Sequence, residues 1–426
     1  MKKTLMAAGA VVATATVATA GGIERSSNDY GLLFQDGDQA NVSVTLVNPQ
    51  VSGKYPASLG GGSTGNMAKN YTSISAGYKK DIGDRLSFGL FVNDAYGADA
   101  DYREGVYAGL TATWDSEQVA FILKYDVSDR FSVYGGARYV QSTAEITIPE
   151  ALVGRAVGNH AMDLGNQATN LGRQAAVAAA SGDLETAAKL GAQARELGTE
   201  ARTLGTALAT TPPAVGGTNW AYSAQSNRDG QFGYVLGAAY QIPDIALRVG
   251  LTWESEIEHS FDTHEVIPAL GVDLDDTTKI TLPQSVKLDF QSGVAKNTLV
   301  FGSIKWTEWS KWEVRTPGYE AVTGTEVTGL DDDTITWRVG VGHKFNEKAS
   351  GFAQVRYEKS NGGDISRLSP TDGLMSFGIG GQLVDGNVKL RGGIEYVSLG
   401  NAEDASGVKF EDNSAIGMGL SLTVSF

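Results

Sequence analysis

The chain has 426 residues, a formal net charge of −15, 54 glycines and no cysteine. Its length is compatible with about two or three soluble domains or with one large barrel. The lack of cysteine excludes disulfide scaffolds, thiol nucleophiles and cysteine-ligated metal sites, and the strong acidity argues against nucleic acid as a partner.

The N-terminal stretch, residues 1–20, has the composition of a secretory signal peptide. It begins with two lysines after the initiator methionine, continues with an apolar run over residues 6–17, and ends in Ala-Thr-Ala, a small-residue cleavage site. The apolar run is too short to cross a membrane as a helix. We therefore expect an exported chain that begins near Gly21 and that enters a membrane, if it does, as strands.

After a short arm, residues 21–39, segments of strict alternation recur throughout residues 40–426. Apolar residues occupy every second position of each segment and small or polar residues the others, which is typical of a strand with one apolar face. The last segment, residues 413–426, alternates up to the terminal Phe426. The pattern predicts an all-β fold, a transmembrane antiparallel barrel of about fourteen strands, with twelve as the alternative count.

The connections between these segments alternate between short and long. Short turns such as Gly83-Asp84 and Ser128-Asp129 suit the periplasmic side, and long loops suit the extracellular side. We therefore expect a monomer in the outer membrane of a Gram-negative bacterium, surrounded by lipid and lipopolysaccharide. Its C-terminal strand would be presented to the barrel assembly machinery.

One insertion, residues 150–215, has a helical pattern instead. Alanine and leucine recur with 3-4 spacing over residues 157–208, and Ser181-Gly182-Asp183 interrupts them as a turn. The sequence predicts an extracellular helical hairpin in the barrel. Glycine follows leucine in every seventh position, at a cost of about 1 kcal/mol each in a helix interior. The hairpin is either a rigid spike or a groove for a flexible ligand.

Two adjoining stretches carry a more specific pattern. Residues 282–288 read Leu-Pro-Gln-Ser-Val-Lys-Leu, and residues 305–312 read Lys-Trp-Thr-Glu-Trp-Ser-Lys-Trp. A Leu-Pro-x-Ser strand followed by one that ends in Trp-x-x-Trp-Ser resembles the FadL/TodX family of outer-membrane transporters for long-chain fatty acids and aromatic hydrocarbons. The resemblance runs from about Leu33 to Phe426.

The resemblance implies a barrel plugged by an N-terminal hatch, of which residues 21–39 would be a short remnant. A hydrophobic small molecule, a fatty acid or a hydrocarbon, would be captured by extracellular loops 3 and 4. Loop 4 would cover residues 261–278, and its predicted apolar patch comprises Val266, Ile267 and Leu270. The molecule would then leave sideways through a kink in strand 3, between Asn93 and Gly97.

An apolar face toward lipid places many cationic side chains inside the barrel. These cations either pair with lumen carboxylates or bind the carboxylate of a fatty acid near the mouth. Trp309 has the inward phase of its strand, whereas Trp306 and Trp312 have the outward phase typical of an aromatic girdle. The predicted ligand contacts in the lumen are Arg315 first, then Lys311, Trp309, Arg138 and Lys305.

An enzyme is not expected, because the four histidines are scattered and no Ser-His-acid or metal-ligand spacing joins them. No cofactor or metal is predicted. Two alternatives to the transporter remain open. One is a general diffusion porin, and the other is an adhesion or structural barrel in which the helical hairpin does the work.

Overall fold

The computed structural model describes residues 22–26, 30–362 and 365–426, so the predicted signal peptide lies outside the described residues. One sheet contains eighteen strand segments, and four passes of the chain are broken into two segments each, which leaves 18 − 4 = 14 passes. The predicted antiparallel barrel is thus confirmed, with fourteen strands rather than twelve.

The fourteen strands are numbered in chain order, with both segments given for a broken strand. They are β1 (Gln39–Gln50), β2 (Tyr71–Asp81), β3 (Leu86–Asn93 and Gly97–Asp101), β4 (Thr111–Asp126), β5 (Phe131–Ile148), β6 (Tyr222–Ser226 and Asp229–Ile242), β7 (Leu247–Glu254 and Ile257–Ile267), β8 (Val272–Leu282 and Ser285–Ala295), β9 (Thr298–Thr307), β10 (Thr334–Lys344), β11 (Ala349–Glu358), β12 (Leu374–Asp385), β13 (Val388–Leu399) and β14 (Ser414–Ser425).

The barrel closes between its first and last strands. β1 pairs antiparallel with β14 in an unbroken register from Gln39 opposite Ser425 to Gln50 opposite Ser414. The apolar positions of the alternation point outward. Leu46 and Met418 illustrate this, because each has 52% of its accessible surface exposed. In a membrane these exposed side chains face lipid, because the sheet closes on itself and its outer face is apolar.

The insertion after β5 forms the predicted helical hairpin. It consists of α1 (Glu150–Ala180) and α2 (Leu184–Thr210), and α1 begins seven residues before the alanine and leucine periodicity that predicted it. A third, short helix, α3 (Pro317–Thr323), lies between β9 and β10. Among the described residues, none of the helices is both long enough and apolar enough to cross a membrane.

The predicted loop 4 is a pair of strands instead. The upper segments of β7 and β8 pair in continuous register up to Ile267 opposite Val272, and only a turn at Pro268–Leu270 joins them. Ile267 is fully buried and Leu270 packs against the same cluster, whereas Val266 lies on the opposite face of the strand. The prediction that this segment is a loop was therefore wrong, because strand pairing continues beyond the barrel wall and places the predicted patch residues on two faces.

The N-terminal arm lies inside the barrel. A short 3-10 helix, Tyr30–Phe34, buries Tyr30 and Leu33 against inward-facing side chains of β3 to β6. The ring of Tyr30 meets that of Phe91 edge-to-face at a centroid distance of 5.2 Å. The end of the lumen near the short turns is therefore filled with apolar side chains.

The loops at the opposite end are tied together by a buried carboxylate. Asp404 accepts hydrogen bonds from the Tyr107 hydroxyl at 2.6 Å and from Arg367 Nε at 2.9 Å. Burial raises the pKa of Tyr107 to about 12, so its phenol stays protonated and continues to donate. This network holds three separate loops in one layer over the lumen.

Candidate functional site

Strand β3 is interrupted at residues 94–96, where its pairing changes. On the β4 side pairing continues across the break, from Asn93 opposite Gln118 to Gly97 opposite Asp115. On the β2 side the ladder ends at Ser75 opposite Asn93. Among the described residues, no ladder joins residues 71–74 of β2 to residues 97–101 of β3, so the wall has a gap between Asn93, which is still paired on both sides, and the bridge from Ala68 to Ala100.

The N-terminal arm docks onto this interruption. The amide of Gly97 donates to the carbonyl of Ile23 at 2.7 Å, and the amide of Arg25 donates to the carbonyl of Ala95 at 2.9 Å. The side-chain amide of Asn93 donates to Ser26 Oγ at 2.9 Å. The backbone groups that the kink releases from the ladder are thus satisfied by the arm.

Gly97 has a second role, which is to leave room for a side chain of the arm. A Cβ atom at this position would lie 2.6 Å from Cδ of Arg25. The Arg25 guanidinium also stacks over the ring of Tyr71 at 4.8 Å and pairs with Asp115 at 3.3 Å. A larger residue at position 97 would push the arm away from the gap.

A cavity lies directly behind the gap, and we call it the wall cavity. The arm contributes Gly22 and Arg25 to its lining, and the two edges of the gap contribute Tyr71 and Ala98. Leu368, from the loop between β11 and β12, completes it. The wall cavity therefore touches the arm, the interrupted strand and a long loop at once.

A second cavity lies in the lumen on the side of the long loops, and we call it the lumen cavity. Its surface is almost entirely apolar. Leu368 lines this cavity too, so the two spaces share one lining residue. The remaining principal contacts are Trp114, Ile146, Phe261, Ile280 and Trp312.

The tryptophans after β9 do not follow the phase of that strand. The chain turns at Trp309–Lys311, and both Trp309 and Trp312 are buried. Trp309 packs edge-to-face on Tyr96 at 6.1 Å, and a Cβ on Gly22 would overlap its ring. The girdle position predicted for Trp312 was wrong, because the 3-10 turn ends the alternation and directs this ring into the lumen cavity.

Two of the predicted ligand-binding cations are held in ion pairs inside the lumen. Arg138 pairs with Glu254 at 3.0 Å, and Glu254 in turn accepts the Tyr30 hydroxyl at 2.7 Å. Lys305 pairs with Glu24 of the arm at 2.5 Å. Both cations thus anchor the arm, and neither lines the lumen cavity or the wall cavity.

The other two predicted cations are exposed residues of the loop after β9. Arg315 is surrounded by Glu313, Glu320 and Glu326, and its side chain is 39% exposed. Lys311 is exposed at the end of the turn after β9. The structure does not bring either residue to the two cavities, although their neighbours Trp312, Val314 and Thr316 line the lumen cavity.

A serine, a histidine and an aspartate that lie far apart in the sequence come together in the fold. Nδ1 of His259 lies 2.8 Å from Asp229, and its Nε2 lies 3.3 Å from the hydroxyl of Ser142. Ser142 and His259 are buried, and neither lines one of the two cavities. These contacts satisfy the buried polar atoms of the three side chains in the wall.

Sequence reasoning missed Trp114 and Leu368 as site residues. Trp114 has the phase opposite to the lipid-facing Phe121 and Leu123 of the same strand, so the alternation alone indicated an inward ring. Leu368 lies in a loop, and no local pattern indicates which cavity a loop residue enters.

The closed barrel, its lipid-facing outer surface, the arm inside its lumen and the interrupted third strand define an outer-membrane barrel of the transporter type. The chain belongs to the family of outer membrane protein transport proteins (OMPP1/FadL/TodX), whose pattern matches residues 4–397. The predicted resemblance is thus confirmed. A comparison with curated proteins finds no match.

Several solved structures share the fold. A FadL homologue from Pseudomonas aeruginosa aligns with a TM-score of 0.66 at 13% identity, over 93% of this chain and 92% of that one. The toluene transporter TodX from Pseudomonas putida aligns with a TM-score of 0.59 at 13% identity, over 96% of both chains. The toluene transporter TbuX from Ralstonia pickettii aligns with a TM-score of 0.55 at 12% identity, over 92% and 90%.

Proposed function

We propose that this protein carries small hydrophobic molecules passively through the outer membrane and releases them sideways through the gap between β2 and β3. The observation that carries the proposal is the pair of adjoining cavities. An apolar space in the lumen and a second space behind the gap share Leu368 as their common wall. A molecule that moves from the first to the second reaches the membrane without crossing the periplasmic end.

The filling of the lumen supports this route over straight passage. The arm, with Ile23 and Leu33 buried, occupies the lumen below the cavities. Above the 3-10 helix, the ion pairs Arg138–Glu254 and Lys305–Glu24 occupy the lumen. A general diffusion porin needs a continuous water-filled bore, which this packing opposes.

The gap supports release into the membrane because small or apolar groups form part of its edges, beside the ion pair of Lys69 with Asp99. Gly97 and Ala98 form one edge and Tyr71 the other. The transfer of an apolar molecule from the gap into lipid is favourable by about 25 cal/mol for each Å² of apolar surface that would otherwise contact water. Ions and polar solutes have no such gain.

A cysteine at the wall cavity tests this route, and the chain contains no native cysteine to interfere. Ala98→Cys is labelled with a bulky maleimide after reconstitution in liposomes, and uptake of radiolabelled toluene is followed. The control is Lys348→Cys, which places the same label on an exposed short turn. Uptake should fall severalfold for labelled Ala98→Cys and stay unchanged for labelled Lys348→Cys.

Conductance of the wild-type protein in planar bilayers distinguishes the porin. A passive hydrophobe transporter should show little steady ion current. A large, stable conductance together with uptake that is insensitive to the Ala98 label would overturn the proposal. Uptake that is blocked at Ala98 with little current would support it.

A further inference from the structure

The lumen cavity contains hydrogen-bond donors that have no partner. Among the described residues, the indole N–H groups of Trp114 and Trp312 and the hydroxyl of Thr278 are buried without an acceptor. All three residues line the lumen cavity, and each is at most 2% exposed. A buried donor without a partner is unfavourable and rare in native structures, so each such group needs an explanation.

Other hydroxyl groups around the same cavity are satisfied. Thr316 is hydrogen-bonded to the Tyr222 hydroxyl at 2.7 Å, Thr328 to Ser366 at 2.6 Å, and Ser226 accepts from the amide of Ala144 at 2.8 Å. The unpartnered donors are therefore specific positions, not a general property of the lining.

The two indole rings are close enough to serve one small ligand. Their centroids lie 6.0 Å apart with an interplanar angle of 77°. The indole N–H is only a donor, so it discriminates in favour of a ligand atom that accepts. Phe261 packs edge-to-face on Trp114 at 5.6 Å and provides an apolar wall beside the donors.

The charge of the lining limits the kind of acceptor. Among the described residues that line the lumen cavity, Glu145 is the only charged one, and Arg138, Lys305 and Arg315 all lie elsewhere in ion pairs. A carboxylate would enter an apolar space in which none of these cations is available to pair with it, and Glu145 itself is exposed on the opposite phase of β5. A neutral oxygen avoids the desolvation of a charge.

We propose that the lumen cavity selects neutral hydrophobic molecules that carry one hydrogen-bond-accepting oxygen, such as an aromatic ketone, and that Trp114, Trp312 and Thr278 are the donors that recognise it. This inference rests on the proposed function, because it takes the lumen cavity as the binding site on the transport route. It narrows the ligand class from fatty acids and hydrocarbons to uncharged oxygenated compounds.

The test compares three probes of similar size on the full chain in lipid nanodiscs, with empty nanodiscs subtracted. Acetophenone carries a neutral carbonyl, ethylbenzene has no acceptor, and phenylacetate carries a carboxylate at pH 7. Isothermal titration calorimetry should show acetophenone binding about five- to tenfold more tightly than ethylbenzene, the range expected for one net hydrogen bond. Phenylacetate should bind most weakly.

The variant Trp114→Phe/Trp312→Phe keeps two aromatic rings and removes both N–H groups. Its preference for acetophenone over ethylbenzene, measured as the ratio of the two dissociation constants in the same variant, should fall to about twofold or less. Trp337→Phe, on the lipid-facing side of β10, is the matched control and should keep the preference. If the double variant does not fold, the single variants and Thr278→Val replace it, and each should lose part of the preference.

The outcomes separate this inference from the proposed function. Equal affinity for acetophenone and ethylbenzene, or tightest binding of phenylacetate, would overturn the ligand class while leaving a hydrophobe transporter in place. Binding of none of the three probes to the wild-type protein would overturn both. Preference for acetophenone that survives in every tryptophan and threonine variant would overturn the assignment of the donors.

Discussion

The ammonium group of Lys305 on β9 lies 2.5 Å from a carboxylate oxygen of Glu24 in the N-terminal arm. The two residues are 281 positions apart in the chain, and both side chains are mostly buried. The arm therefore does not simply rest in the lumen. It is held there by an ion pair whose loss exposes an uncompensated charge.

Lys305→Met should loosen the arm. Removing one partner of a buried ion pair costs about 3 kcal/mol at the lower end of the known range. The lower end applies here because both side chains keep some exposure. Urea unfolding in detergent micelles should show this loss, and planar bilayers should show more frequent channel openings. Lys344→Met removes an exposed pair with Glu347 and should cost less than about 1 kcal/mol. Equal effects of the two substitutions would contradict the anchoring role of Lys305.

Glu265→Gln tests how the loop with α3 is fastened over the lumen. The buried carboxylate of Glu265 accepts the amides of Gly318 at 2.8 Å and Tyr319 at 2.9 Å at the start of α3, and the Tyr222 hydroxyl at 3.0 Å. Glutamine keeps the shape but replaces one acceptor with a donor, so we expect a loss of about 1–3 kcal/mol.

Limited proteolysis should then cleave the loop around α3 faster in Glu265→Gln than in wild type. The exposed Glu256→Gln is the control and should not change the cleavage rate. Unchanged cleavage in Glu265→Gln would mean that packing alone, such as the contact of Tyr222 with Tyr319 at 4.8 Å, holds the loop.

Leu368 is expected to control passage between the two cavities, because it lines both. Leu368→Ala should widen the passage and increase toluene uptake in liposomes, whereas Leu368→Trp should reduce it severalfold. Binding of ethylbenzene to the lumen cavity should change less than uptake in both variants, since the other lining residues remain. Uptake that is the same in both variants would exclude this passage from the route.

The helical hairpin offers a test of its glycines. A Cβ at Gly165, Gly172 or Gly205 would meet no atom within 4 Å. Alanine at each of these positions should therefore stabilise the hairpin by about 0.5–1 kcal/mol. Gly154→Ala should have the opposite effect, because its Cβ would lie 2.6 Å from Pro213 Cβ.

Thermal loss of the helical circular dichroism signal measures these four variants, because the barrel contributes little to it. If alanine at Gly165, Gly172 and Gly205 lowered the midpoint of thermal unfolding as Gly154→Ala does, these glycines would have a packing role that the hairpin alone does not account for.

The sequence by itself determined the wall of this protein. Period-two alternation is a local property, and it shows which side of each strand is apolar without knowledge of any neighbour. For this reason the lipid-facing residues, the closing strand and the strand count could all be predicted. The helical insertion could be predicted from another local pattern, the 3-4 spacing of alanine and leucine. The interruption of β3 between Asn93 and Gly97 came from the family resemblance.

The contents of the lumen were decided only by the tertiary structure. Arg138 and Lys305 were correctly placed inside, but their partners Glu254 and Glu24 depend on the stagger of the strands and on the path of the arm. Trp312 left the predicted girdle because a turn ended the alternation on which that prediction relied. Arg315 pairs with three glutamates, Glu313, Glu320 and Glu326, which the fold of the loop after β9 brings around it. Contacts across a barrel join residues far apart in the chain, and a local pattern holds no information about them.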